Sequence, residues 1–192
     1  MSLRPITYAP YQDRRACGRV HWQAGPVLIC HDSRHEHMTK AEWASFKAWK
    51  AAPEKASYET VRLAGEIATM IRHFFGCRDL SPLKGVVTPP PSGHGRSDDT
   101  YPAARLAAEV AHELKWEARN VFKSDNLRKG RGRVVSLQEP DRAIFAHPEA
   151  GRLHLLVDDV TTTGRTLLRA RLALSEVPHL AAVWLAYHGG LK

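Results

Sequence analysis

Apolar residues recur along this chain in two rhythms. One has the three-to-four-residue spacing of helices and the other forms the short continuous runs of buried strands. Val61, Leu63, Ala64, Ile67, Met70, Ile71 and Phe74 share one face of a predicted helix from Ser57 to Phe75, which Gly76 stops. Thr39-Lys-Ala-Glu42 has the form of a capping box, and Trp43, Phe46 and Trp49 follow at helical spacing until Pro53 ends the segment. Pro102 opens a third helix through Leu114, with Ala103, Leu106, Ala107 and Val110 on one side, and a fourth runs from Thr166 to Leu174. Strands are expected at Lys84–Thr88, in the apolar run before Asp158, and at Leu180–Tyr187. Glu117–Phe122 reads as an edge strand and Ile144-Phe145 as the start of a short element. Arg19–Trp22 and Pro26–Cys30 read as two short strands around Ala24-Gly25. Pro89–Arg96, with three prolines and two glycines, suits only a loop. Alternating strands and helices predict an α/β protein with a parallel sheet.

Composition narrows the class without choosing within it. The 192 residues suffice for one core domain with an appendage, and 43% apolar with 25% charged residues is ordinary for a globular protein. No apolar run approaches the roughly 20 residues of a membrane span. The opening Met-Ser-Leu-Arg-Pro has no apolar signal core, so a cytoplasmic location is expected. Cys17, Cys30 and Cys77 are too few and scattered for a disulfide framework. The net charge of +8 suits a polyanionic partner, either nucleic acid or a pyrophosphate-bearing substrate.

The most specific chemistry lies at residues 153–166, Leu-His-Leu-Leu-Val-Asp-Asp-Val-Thr-Thr-Thr-Gly-Arg-Thr. A buried strand ends in two adjacent carboxylates, then comes a loop of small hydroxyl residues and a helix start. In open α/β sheets such turns sit where ligands bind. Backbone N–H groups, hydroxyls and a helix N-terminus suit a phosphate, while paired carboxylates suit ribose hydroxyls or magnesium. An ordinary strand–turn–helix would leave two buried acids without partners, at a cost.

The stretch resembles the phosphoribosyl-pyrophosphate (PRPP) signature of type I phosphoribosyltransferases, with His154 an oddity in its apolar run. The resemblance covers about residues 60–188. It implies a type I fold with helices on both faces of a parallel sheet, an N-terminal hood or appendage over residues 1–55 and a core over 56–192. It implies that Asp158 and Asp159 face the ribose 2- and 3-hydroxyls and help to hold Mg2+. It also implies that Thr161, Thr162, Thr163, Gly164, Arg165 and Thr166 surround the 5-phosphate. Where hypoxanthine/guanine enzymes carry an acid that handles the purine N7 proton, this chain has Thr162, as in orotate-type and competence-protein (ComF-like) members. The pyrophosphate loop of the family maps to Pro91, Ser92, Gly93, His94 and Arg96, and its prolines raise the expectation of a cis peptide there. The catalytic flexible loop maps to residues 123–133, where Lys123, Arg128, Lys129, Arg131 and Arg133 supply cations. Lys123, Asp158, Asp159 and Thr162 are the implied catalytic group. These loops also read as a rigid surface loop and a solvated charge run, and the Arg/Gly run as an RNA contact.

ComF-like members open with a four-cysteine zinc module that this chain lacks. Cys17, Cys30, His31, His35 and His37 offer a mixed zinc set, against the reading of Cys30 as a buried small residue. Trp43, Phe46 and Trp49 read as core, with base stacking the alternative, and Tyr187 or His188 stands where a base could be touched. The expectation is a phosphoribosyltransferase using PRPP and Mg2+ on a small heterocyclic nitrogen acceptor, commonly as a homodimer and with no membrane contact. The alternative is a PRPP- or nucleotide-sensing protein on the same fold that binds nucleic acid.

Overall fold

The computed structural model describes residues 27–32, 39–55, 57–91, 101–123, 145–161 and 164–187, with the backbone alone at Lys123, Phe145 and Arg165. The described chain runs β1 (Val27–Asp32), α1 (Lys40–Ala51), α2 (Ser57–Phe75), β2 (Val86–Thr88), α3 (Pro102–Leu114), β3 (Glu117–Ala118), β4 (Phe122–Lys123), β5 (Phe145–Ala146), β6 (His154–Thr161), α4 (Arg165–Ala173) and β7 (His179–Ala186). Five strands form an all-parallel sheet in the order β1-β7-β6-β2-β3, and β4 pairs with β5 in an antiparallel ribbon.

The helix ends follow local chemistry. The Thr39 side chain accepts from the Glu42 N–H, and the Glu42 carboxylate accepts from the Thr39 N–H at 2.7 Å, closing the capping box of α1. Pro102 occupies the first turn of α3, where a missing N–H costs nothing. Gly76 follows α2 with φ +62, a conformation that glycine adopts without strain.

The sheet is covered on both sides. Alternate strand residues Val87, Leu155, Val157 and Ala182 pack with Leu63, Ile67, Ile71, Leu106 and Val110 of α2 and α3. Their neighbours Val86, Leu156, Ala181 and Val183 pack with Leu167, Ala170 and Leu174 of α4. The period-two alternation of a strand thus serves two helical layers. The described part of residues 1–55 packs on this body. β1 pairs with β7, Phe46 and Trp49 are buried in the α2/α3 layer, and the Trp49 indole donates to Thr60 at 2.8 Å.

Several expectations shift on contact with the structure. The single edge strand expected over 117–122 divides into β3 on the sheet and β4 in the ribbon. The chain leaves the sheet because the Val121 N–H donates to the Thr88 hydroxyl at 3.3 Å and the Asn120 side chain accepts from the Phe122 N–H. Lys84, expected in β2, takes a left-handed φ of 46, and Gly85 lets the Trp116 ring lie against the backbone, where a Cβ would meet it at 2.3 Å. No peptide bond among the described residues is cis, Pro89 to Pro91 included. The expected strand at residues 19–22 lies outside the described residues, and β1 has β7 as its parallel partner. No helix among the described residues is long and apolar enough to cross a membrane.

Candidate functional site

Strand connections locate a crevice before any side chain is considered. From β2 the chain passes through α3 to β3, on one side; from β6 it passes through α4 to β7, on the other, and α3 and α4 lie on opposite faces. Neighbouring strands whose crossovers diverge in this way leave an opening at their carboxyl ends, the usual ligand position in open α/β sheets. Proline chemistry deepens it. β2 ends at Thr88, opposite Leu156, because Pro89, Pro90 and Pro91 have no N–H to continue the ladder. β6 continues to Thr161, so Asp158 and Asp159 stand beyond the end of β2.

The two carboxylates differ in setting. Asp159 is 5% exposed and forms an ion pair with Lys50 of α1, Nζ to Oδ2 at 2.7 Å, an approach by charge alone that leaves Oδ2 without a hydrogen-bond donor. Asp158 Oδ1 accepts from the Asp159 backbone N–H at 2.9 Å. Burial, and then the charge of Asp159, raises the Asp158 carboxyl well above the usual range. Past them, the Thr161 carbonyl accepts from the Tyr187 N–H, Gly164 turns the chain with φ +68, and Thr166 lies exposed in the first turn of α4. That helix start presents N–H donors and the positive end of a helix dipole at the crevice.

On the β2 side, the Thr88 hydroxyl donates to the Pro89 carbonyl and the Tyr101 hydroxyl donates to the Pro90 carbonyl at 2.8 Å, so Pro89 and Pro90 are buried and tied down. Pro91 is half-buried beyond them. A cleft of about 510 Å³ opens against Pro89, between the N-terminal halves of α2 and α3, with Thr60, Val61, Arg105 and Asn120 on its walls.

The structure thus brings Asp158, Asp159, Thr161, Gly164, Thr166 and Pro91 to one end of one sheet. Ser92, Gly93, His94, Arg96, Arg128, Lys129, Arg131, Arg133, Thr162, Thr163 and His188 lie outside the described residues, as do Cys17, His35 and His37. Lys123 has its backbone in β4. Cys30 is buried with its thiol 3.7 Å from the Met70 sulfur, and His31 Nε2 is 2.9 Å from the Glu66 carboxylate, so both side chains have roles in the fold. His154, the odd residue of the apolar run, is buried with both ring nitrogens in use: Nε2 faces the Glu149 N–H at 3.2 Å and Nδ1 the Arg152 carbonyl at 3.1 Å. Those contacts require a neutral ring with Nδ1 protonated, and burial lowers its pKa accordingly.

Phe46 and Trp49 are core residues, whereas half-buried Trp43 stacks on Tyr187 at 5.4 Å beside the carboxyl end of β7. Lys50 is the site residue that sequence reasoning missed, since nothing in its local pattern separates it from the other lysines of α1. The ligand atoms of Glu109, His112 and Glu113 on α3 lie within 4.8 Å of one another and could hold a metal ion, with Glu113 also 3.8 Å from Arg72 of α2, but none of the three is on the strand that carries the carboxylate pair. No protein-family model matches the chain, and no curated protein matches it.

Proposed function

We propose that the protein is a phosphoribosyltransferase of the type I kind, transferring ribose 5-phosphate from PRPP to a small heterocyclic nitrogen acceptor and releasing pyrophosphate. The observation that carries this reading is the adjacent pair Asp158 and Asp159, set past the end of β2 and followed by a left-handed glycine and a helix N-terminus. A sugar phosphate needs both halves of that arrangement, with carboxylates for its hydroxyls and N–H donors for its phosphate.

In this reading the Asp158 and Asp159 carboxyls orient the ribose by hydrogen bonds to its 2- and 3-hydroxyls. Residues 161–166 hold the 5-phosphate, and Pro91–Arg96 with Lys123 and Arg128 receive the pyrophosphate. Two carboxylates are hard oxygen donors of the kind magnesium takes, and the ion bound with pyrophosphate would supply neutralisation of the leaving group. The acceptor nitrogen bonds to C1 as the C1–pyrophosphate bond breaks with its electron pair. The charge that develops on the ribose is met by a site whose main work is positioning and electrostatics.

The test is calorimetric titration of PRPP with magnesium into wild type and Asp158→Asn/Asp159→Asn, followed by a screen of free bases for pyrophosphate release. Binding by the wild type alone, with both proteins folded, is the expected result. Absence of binding by the wild type would refute the reading and turn attention to salt-sensitive nucleic-acid binding, which the net charge of +8 would serve.

A further inference from the structure

Lys50 lies outside the signature and far from it in sequence, yet it makes the closest charged contact of the acid pair. We propose that Lys50 is a ligand-site residue. It is the resident counter-ion of Asp159, and it changes partner when a phosphorylated sugar enters. The ribose hydroxyls take its place on the carboxylate, and its ammonium passes to the phosphate or pyrophosphate oxygens of the ligand. The inference rests on the phosphoribosyl reading of this site.

The two ends of the pair are unequally held. The Asp159 side chain is 7% exposed and that of Lys50 42% exposed. A carboxylate so enclosed needs a cation or several donors, because an unpaired buried charge is costly. The ammonium, by contrast, stands at the solvent margin, where exchange of one anion for another costs little. Its base is firmly placed. Trp49 is fully buried with its indole bonded to Thr60, and Phe46 stacks on Trp184 at 4.8 Å. The Lys50 ammonium lies 6.0 Å from the Phe46 ring centroid. A fixed helix and a flexible four-carbon stem let the charge move while the backbone stays. Electrostatics also demand a cation at this spot, since a polyanionic ligand approaching two carboxylates would otherwise be repelled.

The contrasting role is structural, in which Lys50 only docks α1 onto β6. Lys50→Met and Lys50→Arg separate the two through PRPP affinity with magnesium, measured by calorimetry beside urea stability. The expected result is binding about tenfold or more weaker in Lys50→Met, with most of the loss recovered in Lys50→Arg. Unchanged affinity in Lys50→Met, with only stability reduced, would overturn the inference while leaving the phosphoribosyl reading intact. If the wild type binds no PRPP, both fall together. Should Lys50→Met fail to fold, the wild type still decides. The side-chain 15N resonance of Lys50, assigned by its loss in Lys50→Arg, should move as PRPP is added, and a resonance unmoved at saturation refutes the exchange.

Discussion

Replacing Arg171 with methionine should make this protein more stable. Arg171 belongs to the stripe of α4 that faces the sheet, in helical spacing with Leu167, Ala170 and Leu174, all buried. It is 4% exposed, and its Nε and Nη2 groups have no hydrogen-bond partner. Burial alone, with no carboxylate to offset it, lowers the guanidinium to about 10. Keeping the charge at neutral pH therefore costs about 3 kcal/mol, at about 1.4 kcal/mol for each pKa unit. Methionine keeps most of the packing of the stem and removes the charge. The net gain expected for Arg171→Met is about 1–3 kcal/mol, the range seen when buried ions give way to apolar groups. It would appear as a rise of about 2–4 °C in Tm per kcal/mol. Because the folded-state pKa is depressed, the penalty is full below pH 10 and relieved only as pH rises through that value. The advantage of methionine should thus be constant from pH 6 to pH 9. Urea unfolding followed by far-UV circular dichroism and tryptophan fluorescence measures it directly. A loss of more than about 1 kcal/mol in Arg171→Met would refute the reasoning, because it would mean that the guanidinium has an anionic partner whose removal is costly.

Two further perturbations follow from titratable groups of β6, half-buried Asp158 and buried His154. Asp158→Asn should gain about 1 kcal/mol or more at pH 7, since the Asp158 carboxyl is raised by burial and by Asp159. A raised carboxyl stabilises the fold when protonated and loses that contribution as pH rises through its folded value, so the gain should vanish towards pH 4. Equal stabilities at pH 7 in matched urea titrations would contradict it. His154 works in the opposite sense: its folded pKa is lowered, so stability should fall as pH drops below about 6.5, where the unfolded ring takes its proton. His154→Leu should flatten that fall and cost about 1–3 kcal/mol at pH 8, because the Glu149 N–H and Arg152 carbonyl lose their partner. A variant as stable as wild type at pH 8 would show those contacts to be dispensable.

In the proposed reading, the acid pair serves ligand binding at a cost in stability. A protein gains nothing in folding by placing Asp158 where its charge is disfavoured, beside a second carboxylate on the same strand that draws a lysine from α1. Strain of this kind is a common cost of binding sites.

The amino-acid sequence by itself determined the succession of elements, because that succession is written in local terms. Helical spacing from Val61 to Phe74, the Thr39–Glu42 capping box, Pro102 at a helix start and the apolar run before Asp158 each need only their neighbours to be read. The two carboxylates were legible too, since adjacent acids at a buried strand end are costly without a purpose. Contacts between residues distant in sequence were decided by tertiary structure alone. Nothing local says that β1 closes the sheet against β7, that the chain leaves the sheet after Ala118 to satisfy Thr88, or that His154 serves Glu149 and Arg152. The same is true of Lys50, one of several lysines on a helix surface, which reaches Asp159 only because buried aromatic rings set α1 against β7. Periodicity encodes which face of an element is apolar, and long-range packing decides which charge that face carries to the site.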